Sequence, residues 1–193
     1  MSQLKLFMLL LGCKPPGRHV EQHDVFFGIA SDLNELIPEI KAFWPETDKI
    51  HIDAWREVNT VDGFRVRIIP MGVNDNNLSV PANKLFFINL GGYQENKFEE
   101  QHYVLLTVNA NRAAAFKEAK TTLFFQQNHF TGANSHIDDK YGIDVDDLYE
   151  IEEILSPSQK EKYRVELVES AGLTDDKINL GYFKITDRVW HSE

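Results

Sequence analysis

Lys5-Leu6-Phe7-Met8-Leu9-Leu10-Leu11-Gly12 and Lys84-Leu85-Phe86-Phe87-Ile88-Asn89-Leu90-Gly91 are two versions of one phrase, set 79 residues apart. At the same offset Glu21-Gln22-His23 meets Glu100-Gln101-His102. Nine of the twenty-six pairs that begin at residues 5 to 30 are identical without a gap: Lys5, Leu6, Phe7, Leu11, Gly12, Glu21, Gln22, His23 and Val25. Farther on the offset becomes 85, so that His51-Ile52-Asp53 falls on His136-Ile137-Asp138, with the six extra residues near Gln127 to Gly132. Self-similarity of this kind sets the architecture, because each copy reads as one supersecondary unit.

The repeat also decides how the N-terminus is read. Leu10-Leu11-Gly12-Cys13 has the form of a lipoprotein processing box, but the apolar run from Leu6 to Leu11 falls far short of the roughly 20 residues of a membrane span. Nearly the same run recurs in mid-chain, where an export signal could not act. Both copies are therefore strands.

Each copy reads as strand, loop, strand, helix, strand, strand. In the first, Leu6–Leu11 and Val25–Ala30 are short apolar runs suited to strands covered on both faces. Leu33, Leu36, Ile37, Ile40, Phe43 and Trp44 then recur at helical spacing, Asp32 and Glu35 have the spacing of a capping box, and Pro45 ends the run. Strands follow near Ile50–Ala54 and Phe64–Ile69. The second copy repeats the plan with Leu85–Leu90, Val104–Asn109, a helix over about Arg112–Phe125, and strands near His136 and Tyr149. The fold class expected is α+β: two tandem ββαββ modules about a pseudo-twofold axis, with a mixed, mostly antiparallel sheet. Its boundaries are a first module at 4–70, a turn-rich linker at 71–83, a second module at 84–155, and an extension at 156–193 packed on the repeats. The extension should add a helix or strand near Tyr163–Glu169 and a strand near Tyr182–Ile185, covering a sheet edge. Within a module, Val25–Ala30 and Ile50–Ala54 are expected as parallel neighbours through a right-handed crossover.

With 193 residues, 42% of them hydrophobic, the chain can bury a substantial core. Its net charge of −10 repels phosphate backbones and anionic lipid and so disfavours nucleic acid and membrane as partners. The short basic pairs Arg65/Arg67 and Lys160/Lys162 read as solvated faces. One cysteine, Cys13, forbids an intrachain disulfide and fits a reducing cytoplasm. A monomer is weakly favoured, because the two copies can pair with each other.

The polar residues kept in both copies are the candidates for chemistry: Glu21, His23, His51 and Asp53, and their second-copy counterparts Glu100, His102, His136 and Asp138. Side chains two apart on a strand share a face. Each Glu-x-His or His-x-Asp pair thus presents a carboxylate and an imidazole together, as an oriented base, as two ligands of a divalent metal, or as a hydrogen-bonded pair that satisfies a structural position. Gly91-Gly92 and Pro15-Pro16-Gly17 lack the spacing of a phosphate loop, and Asp138–Asp147 lacks that of a calcium loop. No nucleophile elbow, metalloprotease helix or paired cysteine motif occurs.

Taken together, Lys5-Leu6-Phe7, Gly12, Glu21-x-His23-Asp24, His51-x-Asp53 and the stretch His136-Ile137-Asp138-Asp139-Lys140-Tyr141-Gly142-Ile143-Asp144-Val145-Asp146-Asp147 resemble the bacterial domain-of-unknown-function family numbered 1543. The resemblance covers about residues 4 to 155, implies one or two copies of the module, and implies no activity, cofactor or site residue. The second copy departs at Gly92 for Cys13, Tyr103 for Asp24 and Lys140 for Trp55, so chemistry at Cys13 or Asp24 would belong to one copy alone. The function expected is a cytoplasmic binding or regulatory protein of unknown cofactor, whose partner is an unknown small molecule or protein. The alternative is a metal-assisted hydrolase built on the Glu-x-His and His-x-Asp pairs.

Overall fold

The computed structural model describes residues 3–45, 49–72, 81–93, 96, 98–121 and 143–185. The chain divides into two compact units. The first joins Met1–Leu78 to Leu155–Glu193, and the second is Ser79–Ile154.

In the first unit, β1 (Lys5–Cys13) pairs antiparallel with β2 (Gln22–Ala30) and, on its other side, with β3 (His51–Glu57). The strand β10 (Asn179–Lys184), from the far end of the chain, closes the outer edge of β3 and gives the order β10-β3-β1-β2. The expected parallel neighbourhood of β2 and β3 is corrected here: they flank β1, and every described pairing is antiparallel. β1 is the most continuously apolar strand, and the centre of the sheet is where such a strand is covered on both sides.

A 3-10 turn (Leu33–Leu36) runs into α1 (Ile37–Phe43) and lies over one face of this sheet. Phe7, Leu9, Leu11 and Cys13 of β1 meet Leu33, Leu36, Ile40, Ile50 and Ile52 in a buried core. At Gly28 an added Cβ would stand 2.7 Å from Leu36 Cδ2, so only glycine admits this close approach. The capping residues act one position off the expected box. Asp32 Oδ1 accepts from the Asn34 N–H, while the Glu35 carboxylate accepts from both the N–H and the hydroxyl of Ser31. Those two donors hold the Glu35 carboxyl below the usual range.

The free side of β2 is closed by one side chain. Gln159, in α4 (Pro157–Lys162), accepts from the Ile29 N–H at 2.9 Å, donates to the Ile29 carbonyl at 3.1 Å and donates to Glu39 at 3.0 Å. A buried primary amide thus serves the backbone as a further strand would.

The expected fourth strand of the first module lies elsewhere. β5 (Phe64–Pro70) forms a separate sheet, ordered β4-β5-β9, with β4 (Thr60–Val61) and β9 (Tyr163–Glu169). Asp62 and Gly63, both at positive φ, make the two-residue β4–β5 turn.

In the second unit, β6 (Lys84–Tyr93) lies between β7 (Glu100–Asn109) and β8 (Ile143–Glu150), again antiparallel on both sides. α2 (Arg112–Ala119) buries Ala115 and Ala119 against Phe86, Ile88 and Leu90. The expected helix reached Phe125; its residues beyond Thr121 lie outside the described ones, as do the strand expected at His136 and most of the linker. Among the described residues this unit is ββαβ followed by the short α3 (Ile151–Ile154), not ββαββ. The strand foreseen near Tyr149 is β8, which holds the place that β3 holds in the first ladder.

Candidate functional site

One face of the first sheet is the α1 core; the other carries Met8, Leu10 and Gly12 of β1. Gly12 stands opposite His23 on β2 and opposite His51 on β3, so both imidazoles project to that second face over a residue with no side chain. Asp53 reaches the same face through a β-bulge. Leu10 pairs with Ala54 and Leu11 with Ile52, which leaves Asp53 as the unpaired extra residue. The bulge re-aims its carboxylate and returns Trp55 to the core side, where its ring centroid is 6.4 Å from that of Phe7. Glu21, just before β2, is two residues from His23 and comes to the same point.

The four polar ends meet closely. His51 Nε2 is 3.3 Å from both Glu21 Oε1 and Asp53 Oδ1, while His23 Nε2 is 3.1 Å from Asp53 Oδ2 and 3.9 Å from Glu21 Oε2. Yet His51 Nε2, His51 Nδ1 and Asp53 Oδ2 are buried with no hydrogen-bond partner among the described residues. The distances are short enough, but the alignment is not that of hydrogen bonds. His51 Nε2 and Asp53 Oδ2 instead converge on the space over Gly12, where an added Cβ would stand 2.5 Å from the first and 2.7 Å from the second.

The set has a fixed half and an adjustable half. The side chain of His51 is 4% exposed, whereas His23 and Glu21 are 45% and 43% exposed. Among the described residues no group of three or more His, Cys, Asp or Glu side chains is arranged to hold a metal ion as it stands. Here the widest separation is between the two exposed groups, the ones with room to close.

The structure brings the two sequence-predicted pairs, Glu21/His23 and His51/Asp53, to one place, and Cys13 is buried in the core on the opposite face. The second unit differs. His102 stands opposite Gly91 and lies 3.7 Å from Glu100, both partly exposed. The ladder position opposite Gly91, which His51 takes against Gly12, belongs to Asp144, and the bulged position belongs to Asp146. His136, Asp138 and Lys140 lie outside the described residues, and the strand register ties 144–146, not 136–138, to the place of 51–53. A three-residue match across a loop of different length is too short to set a register; the ladder does so through every pair. Two contributors were missed. Gly12 was legible as a residue kept in both copies, but Tyr182 carries no signal, because it reaches the site from the far end of the chain.

Residues 18–68, which include β2, α1 and β3, match the family model described as Domain of Unknown Function (DUF1543). Over this segment the chain is similar to that family. That segment supplies Glu21, His23, His51 and Asp53, while Gly12 lies outside it. The chain is also similar in fold to the crystal structure of a protein Il1583 from Idiomarina loihiensis, at 19% identity and a TM-score of 0.63, over 95% of this chain and 99% of that one. No curated protein matches it. No helix among the described residues is long and apolar enough to cross a membrane.

Proposed function

We propose that this protein binds one divalent transition-metal ion over Gly12, through His23 and His51 with Glu21 and Asp53. The observation that carries the reading is the pair of buried, unpartnered atoms, His51 Nε2 and Asp53 Oδ2, facing a space that a single methyl group would fill. Leaving such atoms unpaired costs about 1–3 kcal/mol each, a penalty that a cation removes. Four donors held about 2.0–2.1 Å from one zinc ion stand about 3.3 Å apart; each imidazole Nε2 lies 3.1 or 3.3 Å from an Asp53 oxygen and His51 Nε2 lies 3.3 Å from a Glu21 oxygen, but through different oxygens of each carboxylate, so both carboxylates must turn, and His23 must close its 3.9 Å to Glu21, for one ion to be held. Two imidazoles and two carboxylates suit zinc and its neighbours better than calcium or magnesium, which prefer all-oxygen sets. The dianionic carboxylate pair would be neutralised by one divalent charge. A binding role needs no more than this. The hydrolase reading would need in addition a coordination position kept open for water, and no observation favours one.

We read the two units as copies of one module. Lys5 pairs with Ala30 as Lys84 pairs with Asn109, the bulge falls at Leu10/Leu11 as at Asn89/Leu90, and each central strand begins with a lysine bridged to the end of the third strand, Lys5–Glu57 at 2.6 Å and Lys84–Glu150 at 2.7 Å. On this reading Asp144 stands where the first copy has His51, and the first copy is the metal binder.

The test is titration of the chelator-stripped full chain with Zn2+ by calorimetry and with Co2+ by visible absorption. One equivalent should bind, with a tetrahedral cobalt spectrum, and His23→Ala and Asp53→Asn should each weaken binding at least about tenfold. Absence of binding to the unaltered chain, or equal binding by both variants, overturns the proposal.

A further inference from the structure

The histidine at the buried end of the site is held in an unusual way. Metal-ligating imidazoles almost always donate their second ring N–H to a carboxylate, carbonyl or water, which fixes the ring's rotation. His51 Nδ1 is buried and has no such partner among the described residues. Instead a ring lies against it: Tyr182, on β10, has its centroid 4.2 Å from that of His51, with the planes 34° apart. β10 is shaped to place it. Leu180 pairs with Ala54 and Phe183 with Ile52, so Gly181 and Tyr182 bulge outward at the level of the Asp53 bulge. Phe183 packs on the core side, whereas Tyr182 stands on the face of the site. The tyrosine remains 63% exposed. Its burial therefore stabilises the fold little, and what its position does provide is one face for the His51 ring.

We infer that Tyr182 is a positioning residue for the Gly12 site, setting the rotation of His51 by ring contact where a hydrogen bond is missing, and that the docking of the C-terminal strand is thereby coupled to cation binding. The inference rests on the cation reading above. It gives the segment beyond the repeat a part in the site: without β10, His51 would retain its place on β3 but lose its fixed plane. Coupling is reciprocal, so whatever factor the docked strand adds to affinity, the cation must return to the docking of the strand.

The experiment uses the full chain and Zn2+ alone. Tyr182→Ala should weaken Zn2+ binding by about 10–100-fold, the usual consequence of losing a group that orients a ligand, and Tyr182→Phe should restore it, since the ring and not the hydroxyl makes the contact. In the unaltered protein, saturation with Zn2+ should slow hydrogen exchange at the amides of residues 179–184, and in Tyr182→Ala that slowing should shrink by the same factor as the affinity. A merely structural tyrosine would lower stability and leave affinity, measured well below the unfolding transition, unchanged. Affinity of Tyr182→Ala equal to that of the unaltered chain overturns this inference and leaves the cation site standing. Failure of the unaltered chain to bind Zn2+ overturns both.

Discussion

Replacing Gly12 by alanine sets a methyl carbon 2.5 Å from His51 Nε2, 2.7 Å from Asp53 Oδ2 and 3.0 Å from His51 Cε1. Non-bonded heavy atoms settle at about 3.5 Å, so the imidazole must retreat by roughly 1 Å and the carboxylate by nearly as much. His51 is buried beneath Tyr182, and this retreat is resisted. Overpacking of this kind costs about 1–3 kcal/mol of folding stability. The effect on a cation is larger, because a metal bond of about 2.0–2.1 Å stretched by the same displacement is no longer a bond, and the methyl group stands where the ion would. Urea unfolding with and without Zn2+ separates the two effects. At a free concentration of about 100 times its dissociation constant, the ion should stabilise the unaltered protein by about 2.7 kcal/mol. Gly12→Ala should start about 1–3 kcal/mol lower and gain almost nothing. An alanine variant that gains as much from Zn2+ as the unaltered protein would refute the placement of the site over Gly12.

The amide of Gln159 predicts a stability effect far from any site. Gln159→Ala strands both backbone groups of Ile29 in a buried place, and at about 1–3 kcal/mol per orphaned group the first unit should lose about 2–6 kcal/mol in urea titration; a loss below about 0.5 kcal/mol would mean that water replaces the amide. Gln159→Glu should be at least as damaging, since it brings a carboxylate against Glu39 and the Ile29 carbonyl. The second unit should weaken in alkali. The hydrogen bond to Glu150 raises the Lys84 pKa above its ordinary 10.5, so the stabilisation is complete below that value and is lost as pH rises through the folded-state pKa. A Lys84→Met variant should lack this alkaline step in pH-dependent unfolding, and its survival there would reassign the step. Ile40→Ala, at a fully buried position between α1 and the sheet, should cost about 2–5 kcal/mol by chemical denaturation, with the Co2+ spectrum of the folded protein unchanged.

How much was readable in the chain follows from the range of the interactions involved. Leu6–Leu11 and Leu85–Leu90 announce strands, because a short apolar run bounded by turns has few other destinations, and Leu33, Leu36 and Ile40 announce a helical face. Two-residue spacing places Glu21 beside His23 and His51 beside Asp53, but that the two pairs meet depends on the strand that separates them and on the bulge at Asp53. Strand order was not readable. That β1 separates β2 from β3 depends on which strand gains most from a central position, a comparison among three separate segments that no local pattern makes. The register on β6 depended on β8, where a match of three residues pointed eight positions away from the pairing that the ladder makes. Gln159 and Tyr182 could not be seen at all. Each acts on a strand more than 120 residues distant in the sequence, through an amide in one case and a ring face in the other, and neither function leaves a local pattern.

The sheet of the first unit takes its last strand, and the plug for its other edge, from residues 155–184, after the whole of the second unit has been made. At a synthesis rate of about 5–20 residues per second, roughly 5–20 s separate the emergence of Leu78 from that of Lys184. During that interval the second unit is complete on the ribosome, and the first waits with both sheet edges bare. The order in which the two halves mature is thus the reverse of the order in which they begin, and quality control of the nascent chain bears chiefly on the N-terminal half. Truncation near the C-terminus should therefore betray itself at the opposite end of the polypeptide, as proteolysis around β2 and β3.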